Sequence, residues 1–214
     1  MTDLTAIDIL VNPDDATIER AKAVNARLRE SVPSGYAMDA SHQPHITTLQ
    51  RYVRTADLDK IFASVEATIT DTDISSLGYE AVLIRHTDWN VPGQGYAVYV
   101  VKHSAQVLDF QAALLDGVTP FVGTGGTAAA FVTDKDDPDI NDTTLKWVED
   151  FVPNQIGPKY IPHVSLGFAT LADLKVIEAE PFDPFPIQPS SIAVYHLGNN
   201  GNARKLLKAW SPTV

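Results

Sequence analysis

Two short segments of this sequence carry the same residue types in the same order. They are Pro44-His45-Ile46-Thr47 and, near the C-terminal end, Pro162-His163-Val164-Ser165. Side chains alternate between the faces of an extended strand, so in each segment the histidine and the hydroxyl residue point the same way. Two such pairs facing one another would supply a base, an acid and two neutral hydrogen-bond donors. Such groups are suited to a phosphoester site.

Cleavage of a phosphodiester needs a base for the attacking water or hydroxyl and an acid for the leaving oxygen. Histidine can do both near neutral pH, because its ordinary pKa is about 6.5. Either His45 or His163 can be the acid, and the other is then the base. The hydroxyls of Thr47 and Ser165 would donate to the non-bridging oxygens without titrating.

The composition excludes several other kinds of chemistry. A chain of 214 residues, 44% of them hydrophobic, fits one domain with a sizeable core. Because it has no cysteine, it has no disulfide, thiolate metal site or cysteine nucleophile. The net charge of −11 argues against binding of long RNA or duplex nucleic acid, although it allows a pocket for one nucleotide or a strand end.

The N-terminal residues contain no basic segment before their apolar run, so no secretory signal is expected. No apolar stretch approaches the ~18 residues that a membrane span needs. We therefore expect a cytoplasmic protein that does not enter a membrane, and we expect it to be a monomer.

The first motif follows a predicted strand, a turn and a helix. Residues 6–11 read as a buried strand, and Asp14 or Asp15 can cap the helix that follows. The predicted elements of this half are a strand at 6–11, a helix at 16–29, the motif strand at 45–53, a helix at 57–68, strands at 79–86 and 96–102 around a loop at 88–95, and a helix at 105–115.

A similar order is predicted for the second half. It consists of a short strand at 128–132, an acidic turn at 134–139, a helix at 143–151, the motif strand at 163–169, a helix at 171–178, a Pro-rich loop at 181–189, and strands at 191–197 and 203–210. The repeated order predicts one domain over 1–214 with approximate repeats at 5–118 and 127–214.

The doubled His-x-Thr/Ser signature, each copy preceded by proline, resembles that of the 2H phosphoesterase superfamily. Members of this superfamily include RNA 2′,3′-cyclic phosphodiesterases and the bacterial proteins called 2′-5′ RNA ligases. Residues 201–207 also resemble the closing strand of bacterial members. The resemblance therefore extends over nearly the whole chain.

This resemblance implies an α+β fold of two pseudo-twofold-related lobes of antiparallel sheet, with outer helices and both His-x-Thr/Ser strands in a central cleft. It implies that His45 and His163 are catalytic and that Thr47 and Ser165 bind the substrate phosphate, with no metal and no cofactor. The implied reaction opens a 2′,3′-cyclic phosphate on a nucleotide or an RNA end. The alternative is cleavage or ligation of 2′-5′ linkages in RNA or oligoadenylate.

Two other classes of protein remain open. A non-catalytic nucleotide-binding module would keep the pocket without the chemistry. A metallohydrolase built on His45 and His163 would want carboxylates in the motif strands, and none stands adjacent. With no carboxylate or basic residue beside the motifs, the chemistry is expected to depend on two imidazoles and two hydroxyls.

Several other residues are weaker candidates. Tyr160 and Tyr195 are expected either to line the cleft or to pack on the sheets. Lys159 and Arg51 would either supply positive charge to a phosphate or be solvated. The remaining histidines, of which one lies close to the first motif, are expected to be structural or superficial; they are His42, His86, His103 and His196.

Two segments imitate known motifs without meeting their requirements. Residues 123–127 are glycine-rich but lack the Gly-Lys-Ser/Thr ending of a phosphate loop, so a connector is predicted. The acidic segment 134–139 lacks the central glycine and the closing glutamate of a calcium loop, so a solvated turn is predicted.

Overall fold

The computed structural model describes residues 3–39, 42–135 and 137–211, which form eight strands and five α-helices. The strands are β1 (Leu4–Pro13), β2 (Ile46–Arg54), β3 (Tyr79–Asp88), β4 (Gln94–His103), β5 (His163–Thr170), β6 (Phe185–Ile187), β7 (Pro189–Leu197) and β8 (Ala203–Trp210). The helices are α1 (Asp15–Ser31), α2 (Leu58–Thr70), α3 (Ala105–Val118), α4 (Asp142–Gln155) and α5 (Leu171–Ala179).

The strands form two antiparallel sheets of four. Their orders are β2-β1-β7-β8 and β5-β4-β3-β6. The motif strands β2 and β5 each lie at the edge of a sheet, and these two edges approach one another. The predicted α+β fold, with two lobes and a cleft that carries both motif strands, is confirmed. In the ranges that the structure describes, no helix has the length and apolarity to cross a membrane.

The strand predicted at 128–132 is wrong, because Ala128–Ala130 form a single turn of 3-10 helix. Because β1 is already paired with β2 on one side and β7 on the other, this apolar segment cannot pair with β1 as a further strand. Ala130 and Phe131 are buried instead by packing beside Ala6 and Tyr52. The predicted division into repeats at 5–118 and 127–214 stays a prediction. The second of these segments does not begin with the strand expected at 128–132.

Other differences are small. The loop predicted at 181–189 contains the short strand β6, which extends the second sheet beside β3. The segments 45–53 and 163–169 form strands as predicted, within one residue at each end. Asp14, one of the two predicted caps, accepts from the backbone N–H of Thr17 at 2.9 Å and begins α1.

The helices cover the motif strands from outside. Helix α1 follows β1 of the first sheet but packs on β5 of the second, and α4 packs on β2. The buried face of α1 consists of Thr17, Ala21, Asn25 and Leu28. Burial of a side chain such as Leu28 contributes about 2 kcal/mol to stability. The first half of the chain thereby supports the second motif.

Candidate functional site

A cavity of about 540 Å³ lies between the edges of the two sheets. His45, the residue before β2, and Thr47 in β2 line it from one side. His163 and Ser165 in β5 line it from the other. Its volume lies within the range of small-molecule sites, roughly 300–1,000 Å³. The fold therefore brings together four side chains from two distant segments of the sequence.

Both motif histidines are held by the same kind of backbone contact. His45 Nδ1 lies 2.8 Å from the carbonyl oxygen of Gln43, and His163 Nδ1 lies 3.0 Å from that of Ile161. Because a carbonyl oxygen only accepts, Nδ1 carries the proton in each ring and donates it. Nε2 is then left for a ligand, as an acceptor when the ring is neutral and as a donor when it is charged.

Burial lowers the pKa of His45 and of His163 below the ordinary value, because the cavity wall solvates an imidazolium poorly. The carbonyl contacts oppose this effect, and the charge of His163 lowers the pKa of His45 further. The first proton that binds the pair thus opposes the second. A state with one charged and one neutral ring, which acid–base catalysis needs, is favoured at mildly acidic pH.

A buried carboxyl group lies behind Thr47. The Thr47 hydroxyl is 2.8 Å from Asp8 Oδ2, and Gln50 Nε2 donates to the same oxygen at 2.9 Å. Asp8 is fully buried in β1, and this burial raises its pKa to about 7 despite the two hydrogen bonds. The motif strands themselves contain no carboxyl group, as the sequence indicates, but the neighbouring strand β1 supplies one beside Thr47. The signal in the sequence was one acidic residue inside the apolar run 6–11.

Ser165 has different neighbours from those of Thr47. The Tyr96 hydroxyl interacts with the hydroxyls of Ser165 and Tyr36. Burial raises the pKa of both tyrosines, so these hydroxyls stay protonated at neutral pH. One motif hydroxyl is thus next to neutral groups, and the other is next to a group that titrates near neutral pH.

Each motif strand has a β-bulge directly after its hydroxyl residue. In β2 the register against β1 shifts so that Thr48 is the extra residue, and in β5 the shift against β4 makes Leu166 the extra residue. A bulge leaves its extra residue out of the ladder and re-aims the side chains beside it. The hydroxyls of Thr47 and Ser165 therefore owe their direction to equivalent irregularities.

Two buried amide side chains bind the carbonyls at these bulges. Asn25 Nδ2 in α1 donates to the Leu166 carbonyl at 2.8 Å, and Gln111 Nε2 in α3 donates to the Thr48 carbonyl at 3.0 Å. Each amide also bonds the segment that leads to the other motif. Asn25 bonds the Tyr36 carbonyl and the Met38 N–H, which precede the first motif. Gln111 bonds the Gln155 carbonyl and the Gly157 N–H, which precede the second. The amides thus join the two halves of the site in a pseudo-twofold arrangement.

Replacing Asn25 or Gln111 by leucine is expected to lower the free energy of unfolding by about 3 kcal/mol, because one buried and two partly buried backbone groups lose their partner in each case. Chemical denaturation of the variants measures this loss. Lys22→Ala on the exposed side of α1 is the control, with an expected change below about 0.5 kcal/mol. A loss below about 1 kcal/mol for both amide variants would contradict this role.

Aromatic side chains form much of the cavity wall. Trp89, Tyr96 and Phe168 pack together, with Phe168 4.8 Å from Trp89 and 5.0 Å from Tyr96 between ring centroids. Trp147 of α4 also lines the cavity and remains 43% exposed. Flat apolar surfaces of this kind can take a planar ring system by stacking.

Positive charge is scarce in the cavity wall. Among the described residues that line the cavity, none is Lys or Arg. Lys159 instead donates to the Pro153 carbonyl at 2.7 Å, and Arg51 also lies outside the lining. The side chains in the described lining that can become positively charged are therefore histidines.

The two tyrosines named as candidates have different positions. Tyr160 lines the cavity, and its hydroxyl donates to the Thr47 carbonyl at 2.7 Å. Tyr195 is not among the lining residues, so of its two expected positions the structure favours packing on the sheet. It lies on β7 opposite Asp8, two strands in from the edge strand β2 and thus roughly 10 Å from that edge.

One of the histidines expected to be structural or superficial reaches the cavity. His42 lines it and stacks on Tyr36, with 4.8 Å between ring centroids. The other three lie outside the lining, where His86 contacts Glu178, His103 contacts the Ser104 carbonyl and His196 contacts the Ala130 carbonyl.

The acidic segment predicted to be a solvated turn also reaches the cavity. Asp137 lines it and accepts from Asn199 Nδ2 at 3.1 Å. Within 3–39, 42–135 and 137–211, no group of three His, Cys, Asp or Glu side chains is placed to hold a metal ion.

No family model and no curated protein matches the sequence. Among solved structures, the chain is similar to E. coli LigT. The crystal structure of LigT complexed with 3′-AMP gives a TM-score of 0.45 and 11% identity over 100% of both chains. The apo form gives 0.47 and 11% over 100% of both chains, and the complex with NADP+ gives 0.44 and 10% over 99% of this chain and 100% of that one.

Proposed function

We propose that this chain is a metal-independent phosphodiesterase that opens the 2′,3′-cyclic phosphate of a nucleotide or RNA end, with His45 and His163 as its general acid and base. The observation that carries the proposal is the matched setting of the two rings. Each is fixed through Nδ1 to the carbonyl two residues before it, and both line one cavity. Each ring also precedes by two residues a hydroxyl that lines the same cavity.

The reaction needs one neutral and one charged ring. The neutral ring takes a proton through Nε2 from the water that attacks phosphorus. The charged ring gives its Nε2 proton to the departing ribose oxygen, the P–O bond breaks, and the product is a phosphomonoester. The two rings have then exchanged protonation states, and proton exchange with solvent restores the first state. Thr47 and Ser165 donate to the non-bridging oxygens as charge develops there.

The charge of the cavity favours a diester over a monoester. A cyclic diester carries one negative charge, which one imidazolium balances. A monoester carries about −1.5 to −2 near neutral pH, and the described lining offers no Lys or Arg to hold that charge. The site therefore suits a singly charged substrate and disfavours retention of its product.

The walls of the cavity favour a nucleotide as the carrier of that phosphate. Trp89, Phe168 and the exposed Trp147 offer flat surfaces for a nucleobase, and stacking of a base on an aromatic side chain contributes about 1–3 kcal/mol. The net charge of −11 opposes a long polyanion. A single nucleotide or a strand end therefore fits better than duplex nucleic acid.

Purified protein should open 2′,3′-cyclic AMP to a single monophosphate in the presence of EDTA, at a rate at least about tenfold above that on a 2′-5′-linked diadenosine. Phosphorus NMR follows both reactions and identifies which monophosphate forms. A 3′-5′-linked diadenosine is the control substrate.

Three other results would redirect the proposal. Preferred cleavage of the 2′-5′ linkage would assign the alternative reaction to the same two histidines. Binding of nucleotide without turnover of any diester would make the chain a binding module. Loss of activity in EDTA that returns with added Zn²⁺ or Mn²⁺ would contradict the metal-independent mechanism.

A further inference from the structure

The hydroxyl proton of Thr47 already has an acceptor in the structure. Thr47 Oγ1 lies 2.8 Å from Asp8 Oδ2, and a threonine hydroxyl has one proton and two lone pairs. When Asp8 is a carboxylate, that proton points at Oδ2, and the cavity meets only the lone pairs of the hydroxyl. A non-bridging phosphate oxygen would then face lone pairs, with a negative charge directly behind them. An ionised Asp8 thus opposes phosphate binding at Thr47.

We propose that Asp8 is a positioning residue that acts in its protonated form, donating to the Thr47 hydroxyl and so turning the proton of that hydroxyl toward the substrate phosphate. This role rests on the phosphodiesterase function proposed above. The resulting relay runs from Asp8 Oδ2–H to Thr47 Oγ1, and from Thr47 Oγ1–H to a non-bridging oxygen. Gln50 Nε2, 2.9 Å from Oδ2, donates to the remaining lone pair of that oxygen.

The surroundings of Asp8 favour the protonated form. Its side chain is fully buried, and Oδ1 has no hydrogen-bond partner in the part of the chain that the structure describes. The carboxyl faces Thr47 and Gln50 on β2 and lies beside Tyr195 on β7, and none of these is a cation. Tyr160 is near enough for a charge on Asp8 to raise its pKa. The burial that raises the pKa of Asp8 to about 7 places its titration where the enzyme would work.

Asp8→Asn reproduces the protonated form at every pH. Its amide nitrogen can donate to Thr47, and Gln50 can turn its amide to accept through Oε1, an atom that has no partner among the described residues. In the wild type, log kcat/KM for 2′,3′-cyclic AMP is expected to fall with pH more steeply than in Asp8→Asn. Between pH 7.5 and 8.5 the kcat/KM of the wild type should fall by up to about tenfold more than that of Asp8→Asn, because only the wild type must also protonate Asp8.

The control variants separate positioning from folding. Asp173→Asn changes an aspartate that also accepts from two hydroxyls, those of Ser31 and Thr170, but it lies outside the cavity and should leave the pH profile unchanged. In a Thr47→Val background, Asp8→Asn should no longer change the slope, because the group that it orients is absent. A merely structural Asp8 would lower kcat/KM by the same factor at every pH, and that result would overturn the proposal.

Proton uptake on binding tests the same role without turnover. Calorimetric titration with 2′-deoxyadenosine 3′-methylphosphate, a singly charged diester without a cyclic phosphate, at pH 8 in buffers of different ionisation enthalpy should give nearly one proton more for the wild type than for Asp8→Asn. Equal uptake would overturn the role of Asp8 even if the cyclic phosphate is hydrolysed. Extra uptake without hydrolysis would support it while the phosphodiesterase function fails. Absence of binding by the wild type would overturn both.

Discussion

Replacing His45 or His163 by asparagine is expected to lower kcat for opening of 2′,3′-cyclic AMP by about 10²–10⁴, the usual contribution of one general acid or base. Asparagine can place an N–H donor close to the position of Nδ1, so the Gln43 or Ile161 carbonyl can keep its partner. The substitution then removes Nε2, the atom assigned to proton transfer. The expected loss therefore concerns the chemical step more than the fold.

Steady-state kinetics and thermal denaturation of the same samples check this result. kcat should fall while Tm changes by no more than a few degrees. The double variant should have a kcat only slightly below that of the less active single variant, because the two proton transfers act as a unit. His103→Asn is the control, since that ring also bonds a backbone carbonyl through Nδ1 but lies outside the cavity. Full activity in either motif variant would exclude the two-histidine mechanism.

The pH dependence of the two variants assigns the roles. Loss of the base removes the acidic limb of the kcat/KM profile, and loss of the acid removes the alkaline limb attributed to histidine. Burial lowers the pKa of both rings, so the wild-type optimum for the free enzyme should lie on the acidic side of about 6.5. The residue whose replacement flattens the acidic limb is the base.

The four motif residues could be found from the sequence because their signal is local. A histidine and a hydroxyl two residues apart on a strand share a face, whatever the rest of the fold does. The second occurrence at His163 and Ser165 supplied the partner. The distance between the two motifs in space, by contrast, comes from the approach of β2 and β5, which are edge strands of different sheets.

The groups that support the motifs were missed because each bonds a distant segment. Asn25 and Gln111 occur on the buried faces of α1 and α3, where single-sequence periodicity expects apolar residues. An amide on such a face indicates a buried polar partner but does not identify it. Only the structure shows that these partners are the carbonyls of Leu166 and Thr48.

The wrong strand at 128–132 has a physical cause of the same kind. A short apolar run is compatible with a strand, with a 3-10 turn or with part of a helix, and pairing decides among them. Here β1 already pairs on both sides, so Ala130 and Phe131 are buried by side-chain packing instead. Local pattern predicted the burial correctly and the hydrogen bonding incorrectly.

Asp8→Asn is also expected to stabilise the protein at alkaline pH, by on the order of 4 kcal/mol at pH 8 relative to its effect at pH 4. Burial raises the pKa of Asp8 from 3.8 to about 7, so the folded state binds this proton more tightly than the unfolded state. The stability that the proton contributes is fully present below about 3.8 and is lost as the pH rises through about 7. Asparagine stays neutral and loses none of it.

Thermal denaturation of both proteins from pH 4 to 8.5 measures this difference. A chain of this length should show a Tm advantage for Asp8→Asn that grows to roughly 10 °C at the alkaline end. Asp173→Asn is the control with the opposite sign, because hydrogen bonds from Ser31 and Thr170 lower the pKa of Asp173. Its removal should destabilise slightly at neutral pH and have no effect once the carboxyl is protonated.

Kinetics and stability together distinguish the two roles of the buried carboxyl. A buried acid retained for stability alone would be disfavoured at neutral pH, since an amide of the same shape avoids the cost of ionisation. If Asp8→Asn is more stable at pH 8 and also loses the steep alkaline fall of kcat/KM, the carboxyl makes phosphate binding depend on pH at the expense of stability. A Tm difference that does not change with pH would show that Asp8 ionises in the folded protein as it does in the unfolded chain. The Thr47 hydroxyl would then remain turned toward the Asp8 carboxylate at neutral pH.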